Sequence, residues 1–283
     1  MQPGCPSRTA FSAAAHRAAH QVLEGGSVFA DPLALRILGE DAAAAVRESD
    51  AHPARAAMRA FIAARSRVAE DALSASVARG VTQVAILGAG LDTFAYRSPL
   101  AAHLRIFEVD HPATQQWKRE RLAEAGIAVP PTLTFAPVDF EQGTAADGLR
   151  AAGFVDGQRS FFLWLGVVIY LTETAVFATL GDIARHPGGA EVVFDYAEPA
   201  DKLTPQMREE SDRRAEQVAA LGEPWRSRFD PPDLRARLHA LGFVTIDDSG
   251  PPELAARFWP DHVAAVPKRG GHVLHAQTPQ RSA

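Results

Sequence analysis

The sequence predicts an α/β fold built on a doubly wound sheet, and two observations carry this prediction. Short apolar runs recur along the middle of the chain, separated by segments long enough to form helices. Strands that alternate with helices of this length pair in parallel through right-handed crossovers, and the helices then cover both faces of the sheet. The chain has 283 residues and 47% hydrophobic content, which suffices for a sizeable core.

The elements follow from local patterns, beginning with a helical prelude. Residues 9–38 favour short helices broken near Gly25, Gly26 and Pro32, and residues 54–78 favour one long helix. Apolar β-rich runs then predict strands at 84–87, 105–109, 133–138, 161–165 and 192–196. The C-terminal part predicts helices at 203–221 and 231–241 and closing strands at 243–247 and 272–276, which pair antiparallel. No linker divides the chain convincingly.

A glycine pair follows the first predicted strand, in the sequence GAGLD at 88–92. Glycine permits a tight turn with positive φ and close approach of a ligand, so this position suits a loop that holds a nucleotide-like molecule. Asp110 lies 20 residues after Gly90 and closes the next predicted strand, where an acidic residue accepts hydrogen bonds from ribose hydroxyls. The alternatives are an ordinary strand-to-helix turn at the glycines and a helix cap at Asp110.

The identity of the cofactor depends on the residues around these glycines. Thr93 stands where a dinucleotide fingerprint requires a third glycine, which disfavours a pyrophosphate-binding loop. The loop instead resembles the one that class I methyltransferases wrap around the amino-acid half of S-adenosylmethionine. The third predicted strand leads to Asp139 and Phe140, which offer an acceptor and an aromatic face for adenine. The alternatives are a solvated loop or cap for Asp139 and a core position for Phe140.

Several motifs, in order and spacing, resemble the leucine carboxyl methyltransferase family, most closely its bacterial S-adenosylmethionine-dependent or polyketide-type O-methyltransferases. They are FIAARSRVAEDAL at 61–73, VAILGAGLDTFAYR at 84–97, FEVDHP at 107–112, VDF at 138–140 and WLGVVIYL at 164–171. The resemblance extends from about Asp31 to residues 272–275 and includes EPWRSRF at 223–229. It implies a class I, Rossmann-like methyltransferase fold with a doubly wound seven-stranded sheet and an N-terminal helical lid, and a role in secondary metabolism.

The resemblance also implies a domain organisation and a set of site residues. The chain is expected to be one methyltransferase domain, with a helical prelude or lid at 1–80, a cofactor-binding core at 81–198 and a substrate-cap insertion with closing strands at 199–283. Arg65 would hold the cofactor's carboxylate, with Arg67 as the alternative, because an arginine on a helix is usually a solvated charge. The implied cofactor-binding set is Arg65, Gly88, Gly90, Asp110, Asp139, Phe140 and Leu165.

Leu165 is a departure from the family, because many members have glutamate at that position. The absence of the glutamate carboxylate would weaken cofactor binding, reorganise the site for the cofactor's ammonium group, or mark a subfamily that uses backbone carbonyls there. Trp164 either packs near the cofactor or belongs to the core. Tyr196, at a predicted strand end, is a candidate substrate contact.

Methyl transfer demands mainly orientation of the acceptor and requires no metal. A carboxylate acceptor is already ionised at neutral pH, whereas a phenol with a pKa of about 10 benefits from a general base such as histidine. No motif selects such a base, so no catalytic residue is assigned; the candidates are His111, His186, His262, His272 and His275.

The amino-acid composition indicates which kinds of binding partner and which cellular compartment to expect. A net charge of -5 and an isoelectric point near 6.1 disfavour nucleic acid. No run reaches membrane-spanning length, and the lone Cys5 fits a reducing cytoplasm. The expected partner is therefore a small-molecule acceptor, and the sequence predicts no oligomeric state. Two alternative functions stay open, namely a NAD-dependent Rossmann oxidoreductase and a non-catalytic S-adenosylmethionine-binding protein.

Aromatic residues in the lid and cap regions are candidates for an apolar lid over a buried acceptor, or for core positions. They are Phe11, Phe29, Phe61, Trp225, Phe229, Phe258 and Trp259.

Overall fold

A computed structural model describes residues 7–52, 54–138 and 144–279, and the chain divides into two units after Val155. The first unit contains seven described helices and three strands. They are α1 (Arg8–Leu23), α2 (Leu33–Leu38), α3 (Asp41–Ala51), α4 (Ala54–Ala78), β1 (Gln83–Leu87), α5 (Phe94–Arg97), β2 (Arg105–Asp110), α6 (Pro112–Glu124), β3 (Leu133–Pro137) and α7 (Ala145–Ala151), with a 3-10 turn at Pro99–His103.

The three strands of the first unit are parallel, with β2 in the centre. Leu87 is paired with Val109, and Asp110 with Pro137, so the carboxyl ends of all three strands lie at the same edge. β1 is buried at all 5 positions, which matches its nearly continuous apolar sequence. The loops after these strands therefore meet at one edge, where open α/β sheets bind their ligands.

The N-terminal helices of the first unit pack through small side chains. Ala14 and Ala18 of α1 are fully buried, together with Ile37 and Leu38 of α2. Alanine brings helix backbones close together and also has the highest helix propensity, so the alanine-rich sequence serves both helix formation and packing. The predicted long helix at 54–78 is confirmed as α4.

The second unit contains four strands and four described α-helices. They are β4 (Ser160–Trp164), α8 (Glu173–Ala184), β5 (Ala190–Ala197), α9 (Pro205–Ala220), α10 (Pro231–Leu241), β6 (Thr245–Ser249), α11 (Pro251–Phe258) and β7 (Gly271–Gln277), with 3-10 turns at Val168–Tyr170, Ala200–Lys202 and Pro260–Ala265.

The strands of the second unit lie in the order β4-β5-β7-β6. β4 and β5 are parallel, whereas β7 runs antiparallel to both β5 and β6. The predicted antiparallel closing strands are thus confirmed, and the fold class is α/β with a seven-stranded mixed sheet.

One predicted strand begins later than its sequence indicates. The expected strand at 243–247 is observed as Thr245–Ser249. Gly242 adopts a φ of +106° and ends α10, and His239 Nδ1 lies 2.9 Å from the Phe243 carbonyl oxygen. Phe243 therefore belongs to the turn that ends α10, because its ring is buried and its carbonyl oxygen contacts His239 of that helix.

Asp31 is the centre of a buried ionic network in the first unit. Its carboxylate is fully buried and accepts hydrogen bonds from Arg17 Nε and Thr93 Oγ1, each at 2.8 Å. Arg97 Nε lies 3.5 Å from the other oxygen, and Arg17 also donates to the Leu91 carbonyl at 2.7 Å. Burial raises the pKa of Asp31. The charges of Arg17 and Arg97 and the hydrogen bonds to its carboxylate together lower the pKa by more, so the net shift is downward. The network joins α1 to the loop after β1.

We predict that Asp31→Asn destabilises the protein by about 3–5 kcal/mol, because it leaves the buried Arg17 without a full counter-charge. Urea denaturation followed by circular dichroism measures this loss. The matched control is Asp71→Asn, which removes an exposed ion pair with Arg67 and should cost less than about 1 kcal/mol. Equal stabilities for the two variants would show that the network is dispensable.

Candidate cofactor site

The loop after β1 has a backbone that only glycine adopts easily. Gly88 and Gly90 have φ values of +66° and +44°. Backbone amides of Gly88 and Ala89 donate to the Val109 carbonyl at 2.8 and 3.1 Å, which fixes the loop to the end of β2. A Cβ at Gly90 would lie 2.8 Å from the Cβ of Ala10 in α1. Glycine at position 90 therefore satisfies both the turn and the close approach of the first helix.

Asp110 connects this loop to the end of β2. It is 9% exposed, and its Oδ2 accepts a hydrogen bond from the Gly90 amide at 2.6 Å. Its Oδ1 accepts from the His111 amide at 2.7 Å. Burial raises the pKa of Asp110, and these backbone hydrogen bonds oppose that shift without cancelling it. Each carboxylate oxygen still has acceptor capacity, so both can receive a ribose hydroxyl.

The helix after Asp110 is capped by its neighbour. His111 is the N-cap of α6, and its Nδ1 accepts from the Ala113 amide at 3.2 Å. Pro112 occupies the first helical turn, where no backbone donor is needed. Asp110 is consequently not required as the side-chain cap of this helix.

The two candidate arginines of α4 differ in their surroundings. Arg67 is half exposed and pairs with Asp71 one turn along the helix, at 2.8 Å. Arg65 is only 9% exposed. Arg67 is therefore the solvated surface charge. Arg65 has a buried guanidinium group and stays the candidate for binding the cofactor's carboxylate.

A buried ion pair lies on the same face of β2 as Asp110 and was not anticipated from the sequence. Glu108 and Lys118 are almost completely inaccessible, and Lys118 Nζ lies 2.7 Å from Glu108 Oε2. Burial raises the pKa of Glu108 to about 7, although Lys118 opposes this shift. Lys118 also opposes the burial-driven rise in the pKa of Asp110. The sequence signal that could have indicated this pair is a glutamate inside the apolar run of β2, two positions before Asp110.

Asp139 and Phe140, predicted to bind adenine, lie outside the described residues. The last described residue before them is Val138, whose amide donates to the Asp110 carbonyl at 2.9 Å. Their roles stay predictions.

In the second unit, Trp164 and Leu165 mark the end of β4. Trp164 is 2% exposed and its ring centroid lies 6.2 Å from that of Phe194, which fits a core residue. Leu165 is partly buried, and the next amide, of Gly166, donates to Asp195 Oδ1 at 2.5 Å. The turn after β4 is thus held by a carboxylate on β5.

Tyr196, the candidate substrate contact, belongs to a buried polar cluster of the second unit. Its hydroxyl donates to Asp248 Oδ2 at 2.7 Å, and its ring stacks on His272 with centroids 4.9 Å apart. His272 Nδ1 lies 3.0 Å from Asp248 Oδ1, and its Nε2 lies 2.9 Å from Glu198 Oε1. Tyr196 is 3% exposed, so direct contact with a substrate would require its surroundings to move.

His272 is poorly suited to be a general base. Burial lowers the pKa of His272. The hydrogen bonds and charges of Asp248 and Glu198 raise it by more, so the net shift is upward. Carboxylates facing both ring nitrogens favour the cation. Both nitrogens already have partners in Asp248 and Glu198, so neither is free to take an acceptor's proton.

The other candidate histidines also have structural partners or lie in solvent. His186 Nε2 lies 2.9 Å from Ser160 Oγ and 2.8 Å from the Gln158 carbonyl oxygen, and burial lowers its pKa. His275 Nε2 lies 3.1 Å from Glu191, and His262 is exposed. The structure thus selects no histidine as a base.

The residues of the first unit fit S-adenosylmethionine. A glycine turn with positive φ allows close approach, a carboxylate at the next strand end suits a ribose, and neither feature requires a phosphate. These features define a nucleoside-binding class of α/β protein.

Comparison with known proteins gives the family. A model of the leucine carboxyl methyltransferase family matches residues 10–184, more than half of the chain. The chain belongs to this family. The putative S-adenosyl-L-methionine-dependent methyltransferase YktD of Bacillus subtilis is 34% identical over 198 residues, 69% of this chain and 65% of YktD.

Other relatives extend this likeness. A putative S-adenosyl-L-methionine-dependent methyltransferase of Mycolicibacterium vanbaalenii is 31% identical over 228 residues, 78% of this chain and 68% of that protein. The Parafrankia relative Franean1_4929 is 34% identical over 153 residues, and this chain spans 49% of its length. The chain thus covers between about half and two thirds of these relatives.

A solved structure supports the fold. Magnesium protoporphyrin IX methyltransferase (ChlM) from Synechocystis PCC 6803, with bound S-adenosylhomocysteine, matches with a TM-score of 0.50 and 14% identity. The match covers 95% of this chain and 100% of that one. At this identity the likeness concerns the fold alone.

Among the described residues, no helix is long and apolar enough to cross a membrane.

We predict that Asp110→Ala weakens binding of S-adenosylhomocysteine about 10- to 150-fold, because hydrogen bonds to a charged acceptor contribute about 1.5–3 kcal/mol. Titration calorimetry measures the affinity, and circular dichroism checks the fold. An affinity within threefold of the wild type, with a native spectrum, would limit Asp110 to holding the Gly90 amide.

We predict that NMR titration gives His272 a pKa above the ordinary value of about 6.5. Because the folded-state pKa is raised, the stabilisation from the charged ring is complete below the unfolded pKa and is lost as pH rises through the folded one. The difference in unfolding free energy between wild type and His272→Gln should shrink over that range. The exposed His262→Gln should show no such trend, and a folded pKa below about 6.5 would contradict the prediction.

Proposed function

We propose that this protein is an S-adenosylmethionine-dependent O-methyltransferase acting on a hydroxyl or carboxyl group of a small molecule. The observation that carries the proposal is the Gly88–Gly90 turn hydrogen-bonded to Asp110 at the edge of a parallel sheet, in a chain of the leucine carboxyl methyltransferase family. S-adenosylmethionine is the proposed cofactor, S-adenosylhomocysteine the product, and the cytoplasm the proposed location.

The bound cofactor would supply an electrophilic methyl group on a sulfonium. The residues of this chain then have binding and orienting roles: Asp110 would receive ribose hydroxyls, Arg65 would pair with the carboxylate, and the glycine turn would leave room for the methionine part. Such positioning accounts for several of the roughly 7–11 kcal/mol available from orientation. Because no histidine is selected as a base, an acceptor that is already ionised needs the least further help from the protein.

The surface of the second unit favours a small molecule over a protein tail as acceptor. A protein C-terminus would require an open cationic surface, but two of the three arginines of α9 pair with acids one turn away, Arg213 with Glu209 at 3.8 Å and Arg214 with Glu210 at 3.5 Å. The third, Arg208, donates to the carbonyl oxygens of Ala200 and Asp201. α9 buries none of its residues, so its charges form the solvated face that the sequence predicts.

Aromatic side chains of the second unit are consistent with an apolar acceptor. Phe229 packs against Tyr196 and Phe177, with ring centroids 6.3 and 5.6 Å apart, and Arg228 lies over the Trp225 ring. Aromatic groups line most pockets for small organic ligands. We therefore propose an aromatic or polyketide-like metabolite as the acceptor.

We predict that calorimetry detects binding of S-adenosylmethionine and S-adenosylhomocysteine without added metal, and that labelled methyl groups enter a phenolic or carboxylic metabolite. Binding of NAD with hydride transfer would support the oxidoreductase instead. Binding of S-adenosylmethionine without turnover, across a broad acceptor panel and the small-molecule fraction of the source cells, would indicate a non-catalytic binding protein. Label entering protein and no small-molecule fraction would overturn the choice of acceptor.

A further inference from the structure

The amino-acid end of the proposed cofactor carries an ammonium group, which requires acceptors when water is removed from it. We propose that Asp92, at the end of the glycine loop, is the carboxylate that binds this ammonium group. The inference rests on the proposed cofactor and adds a residue to its site.

Asp92 is held in place by the loop itself. Its amide donates to the Ala89 carbonyl at 2.7 Å, and its Oδ1 accepts from the Phe94 amide at 2.8 Å. The side chain is partly buried, in contrast to the freely solvated carboxylates of the surface. The hydrogen bond to Phe94 occupies one acceptor position on Oδ1, which leaves Oδ2 able to receive an ammonium proton.

The other carboxylates around this loop already have donors. Asp31 binds Arg17 and Thr93, and Asp110 accepts two backbone amides. The remaining two are Glu70, paired with Arg97, and Glu108, paired with Lys118. Asp92 differs from Asp31, Glu70 and Glu108, because within residues 7–52, 54–138 and 144–279 it makes no ion pair. It shares this feature with Asp110, whose proposed partner is the ribose.

The charge of Asp92 also acts on its neighbours. After burial, which is the largest cause, Asp92 contributes to raising the pKa values of Glu70 and Glu108. The carboxylates around the loop therefore repel one another, and a cation bound at Asp92 would reduce this repulsion. An ammonium group at Asp92 would neutralise a carboxylate that makes no ion pair among the described residues.

The test compares two ligands that differ only in this group. One is S-adenosylhomocysteine, and the other is its deaminated analogue, with hydrogen in place of the α-amino group. The variant Asp92→Asn keeps an oxygen for the Phe94 amide but removes the charge. We expect calorimetry to show about a 10- to 100-fold loss of affinity for S-adenosylhomocysteine, and a change within threefold for the analogue.

Control variants separate this role from a general effect on the loop. Asp71→Asn, on the exposed side of α4, should leave both affinities unchanged. Equal losses for both ligands in Asp92→Asn would overturn the inference, because they would show that Asp92 shapes the loop without contacting the ammonium group.

A measurement on the wild type covers the case in which Asp92→Asn does not fold. If Asp92 binds the ammonium group, the wild-type protein should prefer S-adenosylhomocysteine to the deaminated analogue by at least about tenfold. Equal affinities would overturn the inference while leaving the proposed cofactor in place. Absence of binding by either ligand would instead overturn the proposed function on which the inference rests.

Discussion

The buried carboxylate of Asp31 is the constraint on which the first unit depends. A buried charge is tolerated only when opposite charges and hydrogen bonds compensate it, and here these come from the first helix and from the loop and short helix after β1. The folding of the N-terminal helices and the shape of the glycine loop are therefore parts of one electrostatic requirement. Arg17 adds a direct bond to the loop backbone at Leu91.

The need to compensate buried charge also explains which partners the carboxylates around the glycine loop have. Carboxylates beneath the loop are neutralised within the protein, as in the Glu108–Lys118 pair, whereas Asp110 and Asp92 are held by backbone amides. Amide dipoles orient a carboxylate without cancelling its full charge, so such a group can still attract a cation or accept a hydroxyl proton. The division between compensated and backbone-held acids separates structural side chains from those available to a ligand.

The sequence was informative where a local pattern has one physical solution. The apolar runs predicted the strands of both units, and the glycines with Asp110 predicted which strand ends come together. It was less informative where long-range contacts decide. Nothing near Asp31 indicated that it would meet Arg17 and Thr93, and Tyr196 gave no sign of its bond to Asp248, because these partners are distant along the chain. The burial of Arg65 distinguishes it from the half-exposed Arg67, a choice that the sequence left open.

The contact between Gly90 and Ala10 ties two distant positions to one another. With only 2.8 Å between a Cβ at position 90 and the Cβ of Ala10, the space there accommodates a single small side chain. A side chain at position 90 would be strained by the φ of +44° and would also require α1 to shift outward, and the Arg17 bond to Leu91 opposes that shift. The position of the first helix is thus limited by the geometry of the glycine loop.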